Sequence, residues 1–222
     1  MMNINRYQKA VKNFLDKREL NLLMNEVFSK MEKSSRVQLN TKNKKNIDFL
    51  KNRKKFDNLY FKLKKSKNWS KFYKSLVKLK FYKKVAIPNV KKHAKSLFNK
   101  KCKVVNFQLR IIEKSDRRSY PIHQELMNNK KILLTYWIAL HEIKKKEGGL
   151  LISKDIPEKK IKHVINKMGY PILKNQKKWL KQCCEKSFKA GEVSILGQLV
   201  PHGTAPKFKS NPRWALIIRT TI

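Results

Sequence analysis

The chain has 222 residues, enough for one domain with a proper core. Its 41% hydrophobic and 10% aromatic content excludes disorder, and no window approaches the roughly 18 uninterrupted apolar residues of a transmembrane helix. Against 55 Lys+Arg stand 15 Asp+Glu, a formal net charge of +40.

That charge is densest at the front. Residues 1–100 carry 29 basic and 6 acidic residues, the remainder 26 and 9. An excess of this size points to an anionic partner (nucleic acid, a phosphorylated or otherwise anionic small-molecule substrate, an acidic lipid surface) or to a lysine-rich proteome bias; charge alone names no ligand. The opening MMNINRYQKAVKNFL lacks an apolar core and a small-residue cleavage site, so it does not read as a secretory signal. Cys102, Cys183 and Cys184 form neither a disulfide framework nor a C-x-x-C zinc spacing, and a reducing, cytoplasmic setting is expected.

Residues 1–100 read as helical. Segment 5–32 places Tyr7, Val11, Phe14, Leu15, Leu22, Leu23, Val27 and Met31 near a 3.6-residue period. Segments 44–66 and 69–82 repeat the pattern, and Pro88 opens a shorter helix through about Phe98. The rhythm changes after Lys103. VVNFQLRII (104–112) reads as a strand, SDRRSYP as a turn, and LLTYWIAL (133–140) and LLIS (150–153) as further strands. Segment 156–186 reads as a return to helix, with Ile161, Val164, Ile165, Met168, Trp179, Leu180 and Cys183 in phase. EVSILGQLV (192–200) and RWALIIRTTI (213–222) close the chain as strands. The expected architecture is one α+β unit over 1–222 with a mainly β core. A basic helical part (about 1–100) packs on an antiparallel sheet structure (about 101–222), which carries a helical insertion at 156–186.

Within this framework His123 and Glu125 are two residues apart, so on extended backbone they project from the same face. His202 follows at the end of EVSILGQLVPH. Two histidines and a carboxylate on one side of a metal form the facial triad of non-haem iron, which leaves room for a bidentate 2-oxoacid and dioxygen. The far carboxylate of 2-oxoglutarate then needs a cation, and a guanidinium supplies a planar fork for it. Arg213 lies eleven residues after His202, across a turn. H-x-[D/E] alone is weak; His202 and Arg213 in strand contexts lift the combination above background.

Residues from about 104 onward resemble the phytanoyl-CoA dioxygenase family. The matching pieces are PIHQEL (121–126), YWIALHEIKKKEGGLLI (136–152) and AGEVSILGQLVPHGTAPKFKSNPRWAL (190–216). The resemblance implies a double-stranded β-helix, or jelly roll, with an N-terminal helical layer. It implies Fe(II) held by His123, Glu125 and His202, 2-oxoglutarate held by Arg213, and Gln108 and Trp137 lining the co-substrate pocket. The implied reaction uses O2 to hydroxylate a small-molecule substrate as 2-oxoglutarate is converted to succinate and CO2. Glu125 stands where most relatives have Asp, and SKDIPEKK replaces the family's Pro-Gly-Ser-His loop, so the substrate class is not carried over.

The remaining features have plain readings. His93, His141 and His163 read as surface residues in lysine-rich surroundings, and the Cys183–Cys184 pair as part of an amphipathic helix. KFYKSLVKLKFYKK (71–84) mixes aromatic and basic residues that suit nucleic acid, but its spacing fits an amphipathic helix better. Trp214, next to Arg213, must point to the opposite face of its strand, against the helices. The competing function is a non-enzymatic basic protein that binds nucleic acid or another polyanion.

Overall fold

The computed structural model describes residues 3–35, 47–113, 121–125, 133–167, 169–208 and 211–221. In chain order these form β1 (Gln8–Val11), α1 (Lys17–Ser35), α2 (Phe49–Lys64), α3 (Trp69–Ser75) and α4 (Ile87–Phe98). Then follow β2 (Lys103–Ile112), β3 (Leu133–Ala139), β4 (Leu150–Ser153), β5 (His163–Ile165) and β6 (Pro171–Leu173). The chain continues through α5 (Gln176–Gln182), β7 (Cys183–Lys186), β8 (Val193–Gly197), β9 (His202–Thr204) and β10 (Arg213–Thr221). The expected turn at 115–121 lies outside the described residues except for Pro121. No described helix is long and apolar enough to cross a membrane.

The front segment 5–32 is not one helix. Its first part is the edge strand β1, whose residues 8–11 pair with 193–196 of β8, a partner too distant in sequence for local periodicity to reveal. Helix α1 starts later, at a reciprocal cap. Asp16 Oδ1 accepts the Glu19 N–H at 2.7 Å, and Glu19 Oε2 accepts the Asp16 N–H at 3.0 Å. Its apolar stripe (Leu20, Leu23, Met24, Val27, Phe28, Met31) is buried. Asp48 caps α2 by accepting from the Leu50 and Lys51 amides. Pro88 sits in the first turn of α4, as expected.

The strands form a five-stranded sheet in the order β1-β8-β3-β10-β2 and a three-stranded sheet in the order β7-β4-β9, antiparallel throughout. Alternation along each strand divides the larger sheet's faces. Tyr136, Ile138, Val193, Ile195, Trp214, Leu216 and Ile218 join the apolar faces of the helices in one buried cluster. From the other face, Trp137, Ala139, Leu196 and Ala215 pack with Leu150, Ile152 and Phe188, so the two sheets meet face to face.

Three of the four aromatics of the 71–84 segment belong to the helical cluster, and Tyr73 is exposed. Phe72, Phe81 and Tyr82 are buried, and Tyr82 stacks on Phe107 with ring centroids 4.2 Å apart. Those rings fill the core, where no base could reach them.

The helical insertion expected at 156–186 is corrected. Among the segment's described residues only Gln176–Gln182 is helical; His163–Ile165 and Pro171–Leu173 form the hairpin β5–β6, and Cys183–Lys186 is a strand paired to β4. Gly169, at φ +79°, makes the hairpin turn, and its amide donates to the Asn166 carbonyl at 2.9 Å. Cys183 and Cys184 therefore lie on β7, both half-buried, and not on a helix.

Candidate metal centre

Two backbone hydrogen bonds build the site. The His123 amide donates to the His202 carbonyl and the His202 amide to the His123 carbonyl, each at 2.9 Å, which extends the smaller sheet by one bridge. Residues paired this way place their side chains side by side on one face. The imidazole centroids are 4.4 Å apart. Glu125, two residues on from His123, reaches the same point, with its Oε1 3.8 Å from His202 Nε2. One potential ligand atom from each of His123, Glu125 and His202 lies within 4.8 Å of the others.

Both tautomers are set by backbone acceptors. His123 Nδ1 lies 3.0 Å from the Pro121 carbonyl and His202 Nδ1 2.9 Å from the Val200 carbonyl. A carbonyl oxygen only accepts, so each Nδ1 carries the proton and each Nε2 keeps a lone pair for a metal. Burial, and then the neighbouring His202, push His123 down to about 3, and burial lowers His202 as well. Both rings are therefore neutral at physiological pH. Burial opposes the charge on Glu125, but the Arg219 guanidinium beside it outweighs that, and the carboxyl lies below its ordinary value. Arg219 Nε donates to Glu125 Oε1 at 2.9 Å, and Thr135 Oγ1 donates to the same oxygen at 3.0 Å.

Gln124, between the candidate ligands His123 and Glu125, points the other way and ties them to the scaffold. Its Nε2 donates to the Leu199 carbonyl and its Oε1 accepts the Ile161 amide, both at 2.8 Å. Its own amide donates to His163 Nε2 at 3.2 Å. His163 is thus a half-buried support of the ligand strand, in place of the surface role expected for it.

The triad opens into a cavity of about 200 Å3 whose lining includes Gln108, Trp137, Arg213 and Arg219. Gln108 and Trp137 line the same cavity as Arg213. That arginine is 1% exposed, with its Cζ 5.3 Å from the Trp137 ring centre. Among the described residues its Nε and Nη1 find no hydrogen-bond partner. Burial, then Arg110, lower Arg213 to about 9, so it stays charged at neutral pH. A more open cavity of about 430 Å3 also borders Arg213, but none of the triad side chains lines it.

Trp214 faces away from the cavity, as strand alternation requires. Its indole packs against Phe49 and Tyr60 of α2, and its amide donates to His141 Nε2 at 3.1 Å. His141 is 3% exposed and lies beside Arg53; the surface reading fails because this ring satisfies a buried strand N–H. His93 is half-buried too, edge-on to Phe14 and Tyr136. Sequence reasoning passes over Arg219 and Thr135. The signal for Arg219 was there: six residues from Arg213 on one strand, it must share that residue's face.

No family model matches this chain, and no curated protein does. The fold recurs among solved structures. The non-heme monooxygenase ThoJ, in its apo form, aligns at TM-score 0.64 and 13% identity over 98% of this chain and 75% of that one. EvdO2 from Micromonospora carbonacea var. aurantiaca, complexed with 2-oxoglutarate, aligns at 0.58 and 13% over 98% and 86%. The epimerase SnoN, in complex with Fe3+, alpha ketoglutarate and nogalamycin RO, aligns at 0.58 and 10% over 98% and 79%. At such identities the likeness is one of fold.

Proposed function

We propose that this chain is a jelly-roll non-haem iron oxygenase that uses 2-oxoglutarate and O2 to hydroxylate a small-molecule substrate. The ligands assigned to Fe(II) are His123, Glu125 and His202, and Arg213 anchors 2-oxoglutarate. One observation carries the reading: a two-histidine, one-carboxylate cluster shares a cavity with a fully buried guanidinium whose Nε and Nη1 lack partners among the described residues. A buried unpaired donor costs about 1–3 kcal/mol, more when charged, and a bound carboxylate would offset that cost. Three solved structures of like fold are described as a non-heme monooxygenase, a 2-oxoglutarate complex and an Fe3+/alpha-ketoglutarate complex, which supports the same assignment.

When bound, iron would activate O2, the oxidant, with 2-oxoglutarate as the co-substrate converted to succinate and CO2. The chain's own residues prepare the place. Backbone carbonyls of Pro121 and Val200 hold both Nε2 atoms toward one point, while Arg219 and Thr135 fix the carboxylate rotamer. Arg213 would hold the co-substrate's carboxylate, with Trp137 against its guanidinium. Leu150, Leu196 and Ile217 line the cavity with apolar surface that limits water.

Aromatics buried under the helices, and a cavity built for small ligands, favour this enzyme over a polyanion-binding protein. Anaerobic titration with Fe(II) and then 2-oxoglutarate tests it: a saturable visible charge-transfer band is expected, absent in His202→Ala. A folded, iron-supplied protein without that band would overturn the assignment.

A further inference from the structure

Between Asp57 and Glu113 the chain carries sixteen lysines and no acid. Of its 15 acidic residues only Asp116 lies outside the described residues, so the structure places nearly every carboxylate that could answer those lysines.

Helical spacing sorts this charge from the core. On α2, Phe56, Leu59, Tyr60 and Leu63 are buried, which leaves Lys55, Asn58, Lys62 and Lys65, three or four residues apart, exposed along the outer stripe. On α3 and the short turn of helix that continues it (Leu76–Lys78), Phe72 and Leu76 are buried, whereas Lys71, Lys74 and Lys78 are exposed. Tyr60 and Trp69, with ring centroids 5.5 Å apart, tie the end of α2 to the start of α3. Among the described residues, none of Lys62, Lys65, Lys67, Lys71, Lys74 and Lys78 forms an ion pair, whereas Lys64 meets Glu113 at 2.6 Å.

Two apolar side chains stand beside the α3 lysines. Tyr73 and Val77, four residues apart and so on one face, are 41% and 63% exposed. The helical layer covers the face of the larger sheet opposite the triad cavity, so this surface is separate from the metal centre.

We propose that the α3 surface docks on an anionic lipid bilayer, with Lys71, Lys74 and Lys78 at the headgroups and Tyr73 and Val77 in the interface. The inference goes beyond the iron and 2-oxoglutarate reading and does not depend on it. Lysine ammoniums are compact point charges that suit the diffuse potential of acidic headgroups, and clusters of about four to eight on an amphipathic helix fit such a surface. Exposed apolar groups beside them gain by leaving water there. A nucleic acid would instead draw on stacking platforms, and Phe72, Phe81 and Tyr82 are buried.

Sedimentation of the full chain with vesicles is the test. Equimolar phosphatidylserine and phosphatidylcholine should bind it saturably, and phosphatidylcholine alone should not. Lys71→Gln, Lys74→Gln and Lys78→Gln combined should weaken binding about a hundredfold, at about fivefold per lysine. The same loss of charge on α5, by Lys177→Gln, Lys178→Gln and Lys181→Gln at exposed positions, should weaken it less than about fivefold, because charges remote from the bilayer are screened. Val77→Asn, which alters no charge, should weaken binding several-fold. No binding to the phosphatidylserine vesicles, equal losses from the two triple variants, or wild-type affinity in Val77→Asn would each overturn the proposal. Tighter binding to a short DNA duplex that is lost in the α3 triple variant would overturn it too and reassign the surface to nucleic acid.

Discussion

Trp214 and Asp57 join the strand that carries Arg213 to helix α2: the indole Nε1 donates to Asp57 Oδ1 at 2.9 Å, with Asp57 6% exposed. The grip extends to the other side of Arg213, where Arg53 Nη2 donates to the Pro212 carbonyl at 2.7 Å. Arg53 also lies 3.6 Å from Asp57 Oδ2. Residues 212 and 214 are thus held from the helical layer, with Arg213 between them. Helix α2, which supplies none of the proposed metal ligands, thus holds the chain on both sides of Arg213, the residue we propose as the 2-oxoglutarate anchor.

Asp57→Ala should therefore act on two measurements at once. Leaving a buried indole N–H unpaired costs about 1–3 kcal/mol in urea unfolding. Dissociation of 2-oxoglutarate, read from the charge-transfer band, should rise several-fold, while Fe(II) affinity stays at the wild-type value. A variant that loses stability but keeps wild-type 2-oxoglutarate affinity would show that the contact is only structural.

Arg219 bears on the proposed metal site instead, through Glu125. It holds Glu125 in place and offsets the burial that opposes its charge. Replacing a group that orients a metal ligand typically lowers affinity about 10–100-fold, and Arg219→Gln should fall in that range for Fe(II). Equilibrium dialysis with the metal alone reads this without turnover. Affinity equal to wild type would mean that Thr135 suffices to hold the carboxylate.

His141 gives the fold an acid-sensitive point. Burial first, then Arg53, push it down to about 3; the Glu142 carbonyl and Glu147 oppose, and Arg213 adds to the lowering. The folded value lies below the unfolded one, so the unfolded chain takes up the proton first. The stabilising contribution is complete above about pH 6.5 and is lost as pH falls from there toward the folded value. Between pH 7 and 5 that amounts to at most about 2 kcal/mol. His141→Gln, which keeps an acceptor for the Trp214 amide, should lose correspondingly less stability over that interval in urea titrations at the two pH values. Equal losses would exclude His141 as the sensitive group.

How much of this was legible from residue order differs by element. On β10, alternation separates Arg213 and Arg219 from Trp214, Leu216 and Ile218, and the structure follows it residue by residue. The same rule put His123 and Glu125 on one face. Segment 156–186 misled because Ile161, Val164 and Ile165 satisfy a helical period over a short apolar run. What decides there is a partner strand and a turn at Gly169, neither visible in local spacing. β1 was hidden for the same reason, since its pairing partner lies nearly two hundred residues away. His141 looked exposed by its neighbours' charge; its burial comes from a strand N–H that only the folded sheet creates.

Arg213 itself should reverse the usual sign of a core substitution. At 1% exposure, with Nε and Nη1 lacking partners among the described residues, its charge is held at a cost that the ligand-free fold does not recover. Arg213→Met keeps the apolar contact with Trp137 and removes that charge, so the variant without 2-oxoglutarate should be more stable than wild type by about 1 kcal/mol or more. Added 2-oxoglutarate at 100 times its dissociation constant, with Fe(II) replaced by a redox-inert divalent ion, should stabilise wild type by about 2.7 kcal/mol. The variant should gain nothing at that concentration. Thermal and urea unfolding of both proteins, with and without the 2-oxoacid, read all four stabilities. A destabilised Arg213→Met that still gained stability from 2-oxoglutarate would place the co-substrate anchor elsewhere in the cavity.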